Sequence, residues 1–397
     1  MVRFVEIKEI QKRLIEHGLD GWLLYDSHAS NRFMHELLRL SPHLVMTRRV
    51  FYWIPASGEP IKILHRIEFD CLDNYLGTTL LYTSWNDLES QLAAVIGKMK
   101  RIAMEYSPKN ANPYVSVVDA GTVELVRSLG PEVVSSDDLL QHFTSVLTEE
   151  QLVTHKAAAS VLEQTIDNVW EMIADRLRLG KRITDYDVQR FILSEFTAKK
   201  CITEEGPICA VNAASSHPHY RASKERAIEI QKGDWILVDL WCKQDSPYAV
   251  YADITRVAVA ASGATPKQQE IFSVVRHAQK KALEFVQQRF VSNKIVQGYE
   301  VDNVCRQFIK DKGYGEFFLH RTGHNIDTQV HGAGAHLDNL ETSDTRKLLP
   351  GTCFSIEPGI YLPDEFGVRL EHDVVINHSK EIEITGGIVE SIACLVG

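Results

Sequence analysis

The 397-residue chain has little cysteine: seven residues, an odd number at wide spacings, with no C-x-x-C pair. That excludes a disulfide-stapled scaffold and the common zinc-finger patterns, and it points to a reducing compartment. A cytoplasmic protein is expected. Basic residues are also short, 43 against 53 acids, for a net charge of −10. A nucleic-acid partner is therefore not expected, since phosphate binding needs a basic excess somewhere. No run approaches about 18 apolar residues, so neither a membrane span nor a membrane partner is expected. The opening MVRFVEIKEIQKRLIEHG is charged and periodic, without the apolar core and cleavage site of a secretory leader. Low-complexity linkers and short solenoid repeats are missing too. What is there is an ordinary globular balance, 44% hydrophobic and 24% charged, which argues against disorder.

Length alone predicts two or three domains. Residues 6–18 read as an amphipathic helix, with Ile7, Ile10, Leu14 and Ile15 at helical spacing. DGWLLYD (20–26), VFYWIP, IKILH and RIAMEY (101–106) read as strands, with helices near 86–99 and in VSVVDAGTVELVRSL. This alternation predicts a small α/β domain. A long helical pattern then fills 149–178, and a second follows Thr184, which with Asp187 forms a helix-start signal. Beyond 207 the chain turns β-rich, is interrupted by a helical block at 266–312, and becomes β-rich again over 317–386. We divide it at 147/148.

Four carboxylates carry the strongest chemical signal. Asp239 in WILVDLW and Asp253 in VYADITR are symmetric about Ser246, in a segment of turn residues. Glu357 in FSIEPGIY and Glu371 in GVRLEHD are symmetric about Asp364. Each pair should face across a hairpin, with Cβ atoms about 5 Å apart. Two such pairs among apolar strand residues require a cation or a shared proton. HRTGHNIDTQVH adds His320, His324 and His331, and Gly323 with its polar neighbours favours a loop or strand entry over a helix. SSHPHY places His217 and His219 at a turn. Neutral imidazoles serve as metal ligands or as acids, bases and oxyanion donors.

With these residues in hand, 150–397 resembles the pita-bread metallopeptidases, in the Xaa-Pro dipeptidase (prolidase) and Xaa-Pro aminopeptidase branch. VDLW…YADITR is similar to the family's Asp-bearing hairpin, HRTGHNIDTQVH to its histidine stretch, and IEPGIY and GVRLEHD to its glutamate segments. HGLDGWLLYDSHASNRF is similar to part of the branch's N-terminal domain. The resemblance implies an α/β (α+β) chain: a small creatinase-like α/β domain (1–147) and a pita-bread domain (148–397) with a curved, mainly antiparallel sheet.

It also implies the site. Asp239, Asp253, His324, Glu357 and Glu371 would hold two divalent ions, Mn²⁺ by resemblance to bacterial prolidases, with Zn²⁺ or Co²⁺ also compatible with Asp/Glu/His ligation. Asp253 and Glu371 would bridge them. Four carboxylates then balance two divalent cations. A bridging hydroxide would attack the scissile carbonyl, with Glu357 passing its proton to the prolyl nitrogen. His331 and His219 would bind substrate and steady the oxyanion, and His320 would support the site. Arg369 would bind a substrate carboxylate or brace the metal-bound acids, readings of equal weight. The implied substrate is a small peptide with proline second, cleaved by a homodimer. An Xaa-Pro aminopeptidase taking longer peptides and a silent pita-bread binding protein are the alternatives. Trp241 stands where the family has glycine, Tyr251 is one place closer to the following Asp than usual, and Asp327 replaces a common glycine. These departures bear on substrate size.

Overall fold

The computed structural model describes residues 6–41 and 43–396. They divide into two compact units, 1–144 and 145–397.

The first unit is built on a mixed sheet. Its helices are α1 (Ile7–Glu16), α2 (Arg32–Leu38), α3 (Trp85–Ile96), α4 (Ala120–Ser128) and α5 (Asp137–Thr144). Its strands are β1 (Gly21–Asp26), β2 (Val50–Pro55), β3 (Ile61–His65), β4 (Thr78–Tyr82), β5 (Arg101–Met104) and β6 (Glu132–Ser135), in the order β4-β3-β2-β1-β5-β6. β1 is buried along its whole length, as its near-continuous apolar run requires. Leu23, Phe51, Ile63 and Ile102 of the sheet meet Leu88 and Leu92 of α3 and Val123 of α4 in one core. The expected strands and the helices α1, α3 and α4 are present. α2, β4 and α5 were not anticipated, because each is short and mixed in polarity.

The second unit opens with α6 (Glu149–Arg178) and α7 (Asp185–Ala198). Both begin in a capping box, Thr148 with Gln151 and Thr184 with Asp187, so each helix start is fixed by reciprocal side-chain bonds to the first free N–H groups. β7 (Cys201–Ile202), β8 (Ile208–Val211), β9 (Trp235–Gln244) and β10 (Ala252–Val259) follow, then α8 (Pro266–Val291) and α9 (Gly298–Asp311). The final stretch holds β11 (Asn325–Ile326), β12 (Thr352–Ile356), β13 (Gly359–Leu362), β14 (Phe366–Arg369), β15 (His372–Ile376), β16 (Ile382–Thr385) and β17 (Ala393–Cys394). One sheet runs β17-β10-β9-β7 with β8 also on β9, a second runs β11-β12-β15-β16, and β13 pairs with β14. Apart from the parallel β10/β17 contact, the ladders of this unit are antiparallel.

Alternation gives β9 and β10 two different faces. Ile236, Val238, Leu240, Ala252 and Ile254 pack into one core with α6 and α7. Trp235, Leu237, Val257 and Val259 pack into another with α8 and α9. Further along that second face the same alternation presents Asp239, Trp241 and Lys243. The apolar end of the hairpin thus anchors strands whose polar end lines the site.

The first hairpin corrects the expected register. Asp239 lies opposite Thr255, and Asp253 lies opposite Trp241. The symmetry centre is Pro247, one residue later than Ser246. Tyr251 leaves the ladder, its N–H donating to Asp327 O at 3.0 Å, and Ser246 and Ala249 fold back within the connection. The offset is two residues, so both acids stay on one face but sit diagonally. The second pair follows expectation: Ile356 opposes His372 and Gly359 opposes Arg369, so both ladders centre on Asp364, the turn residue with φ 60°. Their continuation sets Glu357 against Glu371.

Candidate metal centre

Asp253 projects from β10, Glu371 from the step between β14 and β15, and His324 from the residue before β11. Their ligand atoms lie within 4.8 Å of one another, and all three are buried. His324 Nε2 is 3.8 Å from Asp253 Oδ2, 4.0 Å from Glu371 Oε1 and 3.5 Å from Glu357 Oε1. The segment around His324 is loop and short strand, as its glycine and polar residues predict. Its ring is kept neutral: burial, then the charges of His331 and Arg321, push its pKa well below the usual histidine value. A neutral imidazole is the form that ligates metal.

The carboxylates are under strain as a group. Burial and the charge of Glu371 push Asp253 well above the usual carboxylate range. Burial, then Glu357 and Asp239, do the same to Glu371. Glu357 is raised to about 7 by burial, offset in part by Arg369 and Arg321. At a separation of 4.8 Å, two ionised carboxylates repel by about 3–4 kcal/mol at an effective dielectric near 20. Asp239 Oδ1, Asp253 Oδ1 and Glu371 Oε1 are buried with no hydrogen-bond partner. Buried oxygens of this kind normally have one. The donor set fits divalent cations: hard oxygens and one imidazole, with one oxygen each of Asp239, Asp253 and Glu371 lacking a donor.

Asp239 also touches Arg369, whose Nη2 donates to its Oδ2 at 2.5 Å. The same guanidinium donates to Thr255 Oγ1 at 3.0 Å and to Tyr361 Oη at 2.9 Å. Thr255 Oγ1 in turn donates to Glu371 Oε2 at 2.7 Å. His320 Nε2 lies 2.7 Å from the Tyr361 hydroxyl. A chain therefore runs from His320 through Tyr361, Arg369 and Thr255 to Glu371, with Asp239 attached.

His331 and His219 are exposed. The His331 ring stands edge-on to that of His324, centroids 4.4 Å apart. His219, on the turn after residue 216, is close enough for its charge to act on His331. The loop of His331 is held from both ends: Asp327 accepts the N–H groups of Gln329 (2.7 Å) and Ala333 (2.9 Å), and Asn325 accepts that of Gly334 (2.9 Å). Lys243 Nζ donates to Thr328 O at 2.7 Å and sits 4.8 Å from the Tyr251 ring centre. Asp327 is thus a loop clamp, work a glycine could not do. Trp241 is half-buried directly opposite Asp253.

Sequence reasoning overlooked Thr255, Tyr361, Arg321 and Asp373. Thr255 was within reach, since it lies two residues after Asp253 on β10 and shares its face; Asp373 and Tyr361 follow Glu371 and Glu357, which stand between strands, so alternation did not place them. Arg321 offered only its place beside His320. His155 gave no signal, since a helix nearly a hundred residues upstream carries it.

The sequence pattern of metallopeptidase family M24 matches residues 154–378, more than half of the chain. The Xaa-Pro dipeptidase of Pyrococcus furiosus is 29% identical over 251 residues, covering 63% of this chain and 65% of its own. The match thus spans just under two thirds of that relative's length. Among solved structures, dipeptidase PepE from Mycobacterium ulcerans superposes with a TM-score of 0.65 at 20% identity, covering 98% of this chain and 97% of its own. An X-Pro aminopeptidase from Thermotoga maritima gives a TM-score of 0.55 at 25% identity, covering 98% and 99%. These likenesses establish the α/β pita-bread class expected from sequence. With its matched segment containing both acidic pairs and the histidine stretch, the chain belongs to metallopeptidase family M24.

Proposed function

We propose that this protein is a metal-dependent Xaa-Pro dipeptidase whose ligands are Asp239, Asp253, His324, Glu357 and Glu371. The observation that carries the reading is the convergence of two buried carboxylates, Asp253 and Glu371, each with a partnerless oxygen, on a neutral His324. Two divalent ions, Mn²⁺ before Zn²⁺ or Co²⁺, would supply polarisation of the scissile carbonyl and activation of a water. As the family resemblance implies, Asp253 and Glu371 would be shared by both ions, with Asp239 completing one shell and His324 and Glu357 the other; Asp253, Glu357 and Glu371 each come within 4.0 Å of His324 Nε2.

Glu357, 3.5 Å from His324 Nε2, would pass a proton from the nucleophilic water to the prolyl nitrogen. His331 and His219, both exposed, can donate to the tetrahedral oxygen and the substrate carbonyl. Arg369 spends its donors on Asp239, Thr255 and Tyr361, which favours bracing the acids over binding a substrate carboxylate. His320 orients Tyr361 within the same chain. Residues 148–397 form the catalytic domain and 1–147 the N-terminal domain of a cytoplasmic homodimer. Among the described residues no helix is long and apolar enough to cross a membrane.

A second reading, an Xaa-Pro aminopeptidase, has the Thermotoga maritima likeness in its favour. Metal-stripped protein assayed on Ala-Pro and Ala-Pro-Ala, before and after Mn²⁺ addition, separates the two. Metal-restored hydrolysis of the dipeptide alone is expected. Cleavage of the tripeptide would move the assignment to the aminopeptidase.

A further inference from the structure

The two acids assigned to bridging come from opposite sides of a seam. Asp253 stands on β10, in the sheet of β9. Glu371 immediately precedes β15, in the sheet of β12. Here the main chains meet through Glu371 N–H on Thr255 O at 3.3 Å. Side chains do the rest. Asp373, fully buried on β15, accepts the N–H of Asp253 on its Oδ2 at 2.8 Å. Arg256, on β10, donates from Nη1 to the carbonyl of Glu371 at 2.5 Å and to that of Thr255 at 3.0 Å. Its Nη2 reaches the carbonyls of Gly386 and Gly387. The arrangement is reciprocal: the β15 side holds the main chain of Asp253, and the β10 side holds the main chain of Glu371.

Both braces are themselves held. Asp373 lies 4.0 Å from Nε2 of His155 on α6, whose nitrogens also contact Tyr251 O (2.6 Å) and Thr385 Oγ1 (2.7 Å). Arg256 feels the charges of Glu371, Glu163, Asp373 and Asp167. Neither side chain belongs to the group whose ligand atoms converge. Burying a guanidinium to serve only carbonyl groups is costly, and holding backbone beside ligands is a use that accounts for it.

We propose that Asp373 and Arg256 are positioning residues, a cross-seam brace that fixes the spacing of Asp253 and Glu371 so that both carboxylates can reach the same two ions. The inference rests on the two-ion reading. Asparagine at 373 retains an acceptor for the Asp253 N–H, whereas alanine removes it. Lysine at 256 keeps the charge but loses the planar fork.

The test is Mn²⁺ binding to metal-stripped protein, by calorimetry and electron paramagnetic resonance, with circular dichroism as the check on folding. Wild type should bind two ions per chain and give an exchange-coupled pair spectrum. Asp373→Ala should bind one ion tightly and give the six-line spectrum of isolated Mn²⁺, and Asp373→Asn should restore the coupled spectrum. Arg256→Lys should weaken the second ion by about 10–100-fold. If Asp373→Ala does not fold, Arg256→Lys alone decides. Folded variants with wild-type stoichiometry, affinity and coupling would overturn the brace. A wild type that binds fewer than two ions would overturn the two-ion reading, and the brace with it.

Discussion

Asp253, Glu371 and Glu357 have been taken out of water without protonated partners for all their oxygens, and their protonation must respond. The folded pKa of Glu357 is near 7 against an ordinary 4.5. Between those values the folded state binds more protons than the unfolded chain, so metal-free stability falls as pH rises. The contribution is fully present below about 4.5 and is lost as pH passes about 7. Asp253 and Glu371 shift in the same direction. Metal-free protein should therefore melt at a lower temperature at pH 8 than at pH 5.5, and saturating Mn²⁺ should remove much of the difference. Scanning calorimetry with and without metal reads this directly; an apo melting point that rises over that interval would contradict it. Trp241 carries a second prediction at this scale. It stands directly opposite Asp253, on the strand face that carries Asp239. Trp241→Gly should raise the ratio of kcat/KM for Phe-Pro over Ala-Pro, and an unchanged ratio would show that the indole does not limit the Xaa side chain.

Secondary structure elements set how much of this could be read in advance. The Glu357/Glu371 pairing was legible because a short turn at Asp364 centres both flanking ladders. The Asp239/Asp253 pairing was not, because Tyr251 exchanges its hairpin partner for Asp327, a contact 76 positions away that no local pattern encodes. The helix start at Thr184 was legible, since a capping box is a local signal. Thr184→Ala should cost about 1 kcal/mol and lower the melting temperature by about 2–4 °C. The loop of His331 gives a sharper test. Asp327 clamps it through two backbone N–H groups, so Asp327→Gly should raise KM for Ala-Pro roughly tenfold while leaving kcat and metal content nearly unchanged, the pattern of lost ground-state positioning. A variant with reduced metal content would instead place Asp327 in the support of the centre itself.

At the scale of the molecule, the proposed ligands are divided between two sheets, so neither sheet holds the set alone. The unfolded chain cannot assemble the ligands, and metal binding is therefore linked to folding. Each ion at a free concentration of 100 Kd should add about 2.7 kcal/mol of stability, visible as a rise in the urea midpoint on Mn²⁺ addition and a fall with chelator. The family was legible from the two acidic pairs and the histidine stretch in their order along the chain. The bracing by Arg256, Asp373 and His155 was not, because it depends on contacts between β10, β15 and α6 that form only on folding. The central claim, that two ions shared across that seam drive Xaa-Pro hydrolysis, is tested most directly by titrating metal-stripped protein with Mn²⁺ while following Ala-Pro cleavage and bound metal together. The account predicts no hydrolysis without metal and full activity at two bound ions per chain. Hydrolysis that persists without metal, or that saturates at one ion, would contradict it.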